Sequence, residues 1–350
     1  MNPSLRPSSP ARGRVQAAVA LALTACLVLA GCGGDEKPAA SASSKRPQSQ
    51  PTQGGTTLAA VWPLTGLPAP SRTPHHPVLV VKIDNTSSST PQIGLSKADL
   101  VVEELVEGGI TRLAAMYYSH VPPVVGPVRS MRASDIGVVK ATHAVLVASG
   151  AAPPTYHRLR AADVHFRDGG AGYYRAGDRP APYNLMVRLR DLVKSLGGKP
   201  VVPANYLPWG KKTDYAGSGV ARQISVRFSP ASTTNFSYVK KSHKYANTNS
   251  HAAHGDRFSA DSVLVLRVRE GDAGYLDPAG SHVPETIFQG KGEMLLFHGG
   301  KVLHGSWAKK KRSSPLELRT KAGKIKVPPG NVWIELLPIN RDGGSVRWGK

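Results

Sequence analysis

The first apolar run of the chain lies between Val15 and Ala30, broken only by Gln16 and Thr24, and it follows Arg6, Arg12 and Arg14 with no acid among them. Sixteen residues fall short of the roughly 20 that a spanning helix needs, so the pattern predicts an export signal rather than a permanent membrane helix. It closes on Leu29-Ala30-Gly31-Cys32, a bacterial lipobox pattern that makes the Cys32 thiol the acceptor for a lipid and the first residue of the mature chain. From Gly33 to Thr57 almost no apolar side chain is larger than Ala, and such a stretch buries too little surface to offset its ordering entropy. Residues 33–57 therefore read as a disordered tether with a span of about 25–30 Å.

Beyond residue 57 two patterns follow in turn. In 58–205 apolar runs with strand character alternate with helical ones. Val78–Ile83 is a β-branched run that ends at Asp84-Asn85. Asp99–Glu107 and Ile110–Tyr118 read as a hairpin around Gly108-Gly109. Helices are predicted over 130–140, 156–163 and 187–196, with a short buried strand over 144–148. A segment dense in Pro, Gly and Trp (200–219) then leads into short alternating strands, nine between 224 and 337. The predicted fold class is α+β, with an N-terminal mixed α/β domain at 58–205 and a mostly antiparallel β domain at 206–350.

Charge changes the picture of partners. Lys+Arg 45 against Asp+Glu 23 gives +22, which on its own suggests nucleic acid. Residues 1–32 carry +3 of this, leaving +19 on the mature chain, and most of the excess sits in 206–350. An exported, lipid-anchored chain on the outer face of the cell membrane meets anionic phospholipid and wall polymers rather than nucleic acid. With Cys26 removed and Cys32 acylated, no thiol is left for redox or metal chemistry.

Several constellations could carry chemistry. Arg112, Arg129 and Arg132 suit a phosphate or carboxylate, with Arg129 and Arg132 three apart at the start of the predicted helix. Asp99, Glu103, Glu104 and Glu107 form an acidic stretch in a basic protein. On a continuous strand Glu103 and Glu107 share one face and Glu104 the other. These groups could form a general acid/base pair, a divalent-cation site, or a salt-bridge network with the arginines. Asp84 and Asn85, at the carboxyl end of the first strand, could join a ligand site or simply make an Asx turn. His251 and His254 have i, i+3 spacing in a polar loop, and His298 and His304 flank a Gly-Gly turn as an expected cross-strand pair. Lys309-Lys-Lys-Arg312 reads as a solvated turn or a contact for anionic head groups, beside Trp307. No metal site and no cofactor is expected, and the sequence carries no Walker A, G-x-S-x-G or dinucleotide fingerprint.

Five ordered motifs, Val61-Trp-Pro-Leu-Thr-Gly-Leu67, Val81-Lys-Ile-Asp-Asn85, Gly94-Leu-Ser-Lys-Ala-Asp99, Glu107-Gly-Gly-Ile-Thr-Arg112 and Gly126-Pro-Val-Arg-Ser-Met-Arg132, together resemble the YerB-like family of bacterial lipoproteins. Tyr173-Tyr-Arg175, Arg179-Pro-Ala-Pro-Tyr-Asn184, His304-Gly-Ser-Trp307 and Pro329-Gly-Asn-Val-Trp333 extend the likeness and make Arg175, Arg179 and Asn184 secondary candidates. The resemblance implies an envelope location and a separate C-terminal domain, but no reaction. The leading expectation is a lipoprotein that binds an anionic envelope component through Arg112, Arg129 and Arg132. The alternatives are a hydrolase or transferase on phosphate-containing glycans using Glu103, Glu104 or Glu107, and an envelope scaffold for a protein partner.

Overall fold

The central strands of the main sheet are apolar on both sides, because both faces of that sheet are covered. The computed structural model describes residues 60–70, 74–197, 202–339 and 344–350, so the signal, Cys32 and the tether lie outside the described residues. The first strands are β1 (Leu79–Asp84), β2 (Leu100–Leu105) and β3 (Thr111–Tyr117), followed by helix α1 (Asp135–Val139), β4 (Val145–Val147), α2 (Pro153–Ala161) and β5 (Phe166–Arg167). A small hairpin, β6 (Tyr173–Arg175) and β7 (Leu185–Val187), precedes α3 (Leu189–Ser195). Next come β8 (Ser218–Val220), β9 (Gln223–Arg227), β10 (Thr233–Val239), β11 (Lys244–Asn247) and β12 (Ser259–Ala260). The long β13 (Ser262–Leu276) leads to β14 (His282–Ile287), β15 (Gly290–His298) and β16 (Lys301–Lys309), then β17 (Glu317–Thr320), β18 (Gly323–Ile325), β19 (Val332–Pro338) and β20 (Ser345–Gly349).

Among the described residues the large sheet runs β18-β17-β16-β15-β13-β19-β2-β3-β1-β4-β5, with β14 and β8 as side branches. Its centre is formed by strands from both halves of the chain. β19 pairs in parallel with β13 on one side and with β2 on the other, with Val332 opposite Leu100 and Glu335 opposite Glu103. One face packs on α1, α2 and the segment around Tyr206 and Leu207. The other packs on α3 and on a second sheet of order β12-β11-β10-β9-β20, through Ile224, Val226, Phe236 and Tyr245. Central strands covered on both faces are apolar at nearly every position. Val78–Ile83, Val263–Val268 and Val332–Leu337 follow that rule, with Lys82, Arg267 and Glu335 as the exceptions.

The predicted hairpin at 99–118 is present, with Gly108 and Gly109 at φ of +71° and +70°. Strand outweighs helix throughout, and the helices of the first half are short. The helix expected over 130–140 is α1 alone, followed by a 3-10 turn over 140–142. Its expected first turn is extended because the sheet holds its backbone: Arg129 N–H donates to Lys82 C=O at 2.9 Å and Met131 N–H to Gly150 C=O at 3.0 Å. Arg129 and Arg132 therefore do not share a helix face. The segment 203–217 packs on the sheet, with the Tyr206 hydroxyl donating to Val138 C=O and the Trp209 indole to Pro63 C=O. No helix among the described residues is long and apolar enough to cross a membrane.

Candidate functional site

The side chains of Lys82, Asp84, Glu104 and Arg112 all leave the helix-covered face of the sheet, because Asp84 and Glu104 each pair in register with Arg112 and Lys82 lies two residues before Asp84. They meet α1 and the extended segment before it. Lys82 is fully buried, donating to Glu104 at 2.5 Å and lying 2.8 Å from Asp135 of α1. Burial works against its ammonium, but the charges of Asp135 and Glu104 prevail and raise its pKa. One ammonium facing two buried carboxylates leaves a charge uncompensated there, and burial drives Glu104 up to about 7 against the pull of Lys82.

The second half of the cluster is built on Glu107. β2 ends at Leu105, and a 3-10 turn at Glu107–Gly109 swings the carboxylate round, so Glu107 does not share a face with Glu103 as strand alternation predicts. It binds Arg112 at 2.8 Å and is gripped in bidentate fashion by Arg132, through Nε at 2.9 Å and through Nη2. Burial pushes the Glu107 carboxyl up, but the hydrogen bonds from Arg132 and the charges of both arginines prevail and hold it at about 2. Burial, with the neighbouring Arg132 charge, lowers Arg112 to about 10. Arg112 and Arg132 are 3% and 8% exposed, so the two guanidiniums are internal partners of Glu107.

Arg129 differs from them. Its Nε lies 2.7 Å from Asp84 Oδ2, its guanidinium sits 5.2 Å from the Tyr183 ring centroid, and its side chain is 20% exposed. Asp84 also closes an Asx turn by accepting from the Thr86 backbone and hydroxyl at 2.9 and 2.6 Å. The Arg129 backbone runs along the carboxyl-terminal half of β1 just past the end of the parallel β4, with its C=O accepting from Ser149, near where open α/β sheets place ligands. Among the described residues its two terminal nitrogens donate to no protein atom. Across the cluster, four cations (Lys82, Arg112, Arg129, Arg132) face four carboxylates (Asp84, Glu104, Glu107, Asp135).

Glu103 points to the opposite face. It accepts from Thr111 at 2.7 Å, Asn85 at 3.0 Å and Thr234 of β10 at 2.9 Å. Across the parallel pairing stands Glu335, fully buried, with neither carboxyl oxygen hydrogen-bonded to the protein. Burial raises both carboxyls, and the neighbouring Glu103 helps push Glu335 well above the usual carboxylate range. Asn85 and Thr234 also line a polar pocket of about 140 Å³ with Asn247, Asn249 and His251.

The other candidates disperse. Arg175 donates to Asn184 at 2.6 Å, and Arg179 to Pro91 C=O at 2.9 Å, so neither completes the Arg112 cluster. His298 and His304 do not meet: the register sets His298 opposite Lys301 and His304 opposite Leu295. His251 hydrogen-bonds Thr90 at 3.2 Å. Of the run 309–312, Lys309 is buried rather than solvated. Its ammonium donates to the carbonyls of Arg312 and Ser314 at 2.5 and 2.7 Å, and burial lowers it to about 8. Trp307 is a core residue whose indole donates to Arg267 C=O at 2.9 Å.

Sequence reasoning did not single out Lys82, Asp135, Thr234 or Glu335. A signal existed for two of them, since Lys82 and Glu335 are lone charges inside apolar runs that end up covered on both faces.

A mixed sheet with a parallel centre, covered on both faces and holding a sealed ionic cluster beside one partly exposed arginine, defines a two-part, β-rich class of protein. The chain belongs to the family described as protein of unknown function DUF3048, matching its N-terminal domain over residues 64–202 and its C-terminal domain over 224–334. It is similar to a Bacillus subtilis (strain 168) protein named "Putative lipoprotein YerB", at 28% identity over 302 residues, covering 82% of this chain and 89% of the relative. The crystal structure of YerB protein from Bacillus subtilis shares the fold with a TM-score of 0.68 at 22% identity, covering 82% of this chain and 99% of that one.

Proposed function

We propose that this chain is a lipid-anchored protein of the extracytoplasmic face that binds an anionic envelope component, with Arg129 as the contact residue. The relative's name supports the lipoprotein reading, as do the Cys32 lipobox and the apolar run before it. The observation that carries the site is the difference among the three arginines: Arg112 and Arg132 are consumed by Glu107, whereas Arg129 keeps its terminal N–H groups free at the carboxyl end of β1. Catalysis by Glu104 or Glu107 has less support, because each is committed to a buried cation.

The test is titration of the soluble chain with polyphosphate and, separately, with phosphatidylglycerol vesicles, comparing Arg129→Ala with a Lys310→Ala/Lys311→Ala control on the exposed turn. Loss of one charge-assisted guanidinium contact, about 1.5–3 kcal/mol, predicts at least tenfold weaker binding for Arg129→Ala. Equal affinity of Arg129→Ala and the wild type for both probes refutes the assignment.

A further inference from the structure

β20 is the edge strand of the second sheet, and its inward-facing positions lie over the large sheet. Under most of the second sheet that surface is apolar and the two faces close on each other, as Phe236 and Phe258 do against Trp333. Under β20 it is not. On the same sheet face as Val263, Val265 and Phe297 stand Arg267 of β13, Glu293 of β15 and His304 of β16, placed there by the registers Val265 with Leu295 and Leu295 with His304. The two layers do not close over these residues, and a cavity of about 580 Å³ separates them, lined also by Leu295, Ser345 and Trp348.

Trp348 forms the mouth. Its ring meets Phe297 and His304 edge-on, with centroids 5.9 and 5.3 Å apart, yet it remains 38% exposed. Arg267 uses one nitrogen on Gly344 C=O at 2.6 Å. Glu293 is exposed and attracts the Arg267 guanidinium electrostatically, with no hydrogen bond to its carboxylate among the described residues. An apolar ring wall beside planar, partly unsatisfied carboxylate, guanidinium and imidazole groups is the composition that recognises a sugar. The C–H face of a pyranose packs on the indole, and vicinal hydroxyls take paired hydrogen bonds from planar side chains.

We infer that this groove binds a glycan segment, with Trp348 as the stacking platform and Glu293, His304 and Arg267 as hydroxyl partners. The inference rests on the envelope location proposed above, where glycan is abundant, but uses a different part of the molecule from Arg129. The ring is therefore the recognised unit, and net charge on the ligand is not required.

Calorimetric titration of the full chain in detergent micelles with the uncharged tetramer of N-acetylglucosamine tests it. Binding is expected to be insensitive to salt between 50 and 500 mM, unlike a purely ionic contact. Trp348→Ala is expected to weaken it at least tenfold, and His304→Ala, at an exposed strand position, several-fold without a change in melting temperature. Arg129→Ala leaves it unchanged. Absence of binding by the wild type, or equal affinity in the folded Trp348→Ala and His304→Ala variants, overturns the glycan groove. Loss of polyphosphate binding in Arg129→Ala would still stand in that case, so the two readings fail separately.

Discussion

Replacing Glu107 by Gln removes one negative charge and keeps the shape. What it leaves behind is Arg112 and Arg132, both buried and brought together around the missing charge. The folded carboxyl sits at about 2 against 4.5 for a free glutamate. That difference of about two and a half units, at about 1.4 kcal/mol each, is worth about 3 kcal/mol, at the lower end of what breaking a buried ion pair costs. The sign follows from proton binding. A carboxyl with a depressed folded pKa binds its proton less readily than the unfolded chain does, so its contribution is full above pH 4.5 and fades as the pH falls toward 2. Urea unfolding at pH 7, 5.5, 4 and 3 should show Glu107→Gln less stable than wild type by about 3 kcal/mol at neutral pH, with the gap narrowing below pH 4.5. Equal stabilities at pH 7, or a gap that stays constant down to pH 3, would refute the view that Glu107 is the structural counter-ion of two arginines.

Two further outcomes probe the packing. Glu335 has a raised folded pKa, so its contribution is full below pH 4.5 and is lost as the pH rises, at up to about 1.4 kcal/mol per pH unit. Glu335→Gln should therefore gain on the wild type between pH 5 and pH 8 in urea unfolding, and parallel curves would contradict the buried-carboxyl reading. A Cβ on Gly66, at φ +65°, would lie 2.5 Å from the Trp209 ring, whereas one on Gly108, at φ +71°, meets nothing within 4 Å. Gly66→Ala should thus cost about 2–3 kcal/mol and Gly108→Ala about 1, a difference readable as melting temperature. Equal losses would show that the contact with Trp209 is not tight.

Much of the local structure was legible because it is written in neighbouring residues. The β-branched run before Asp84-Asn85, the Gly108-Gly109 hairpin and nine of the twelve strands from β9 onward follow from alternation and turn chemistry, whereas β12, β14 and β20 were not expected. The acidic and arginine clusters were also visible, and internal pairing was among the readings their proximity allowed. The 3-10 turn that carries Glu107 off the strand was less legible. So was the backbone pairing of Arg129 and Met131 to the sheet, which shortened the helix expected at 130–140. In both places a tertiary hydrogen bond or ion pair outweighed a local propensity.

By itself, the sequence determined the family, most of the strands along the chain and the uneven basic charge, and it carries the lipobox pattern Leu29-Ala30-Gly31-Cys32. Only the tertiary structure decided which charges face one another. Glu103 and Glu335 are 232 residues apart, and parallel pairing of β2 with β19 has no turn to announce its register. Lys82 finds Asp135 and Arg132 finds Glu107, while Arg129 reaches Asp84 and stays partly exposed, because the order of strands and the bend after Leu105 bring them together. Strand periodicity is set by the pleat of each segment, but the partner of a buried charge is set by whichever segment the sheet places beside it.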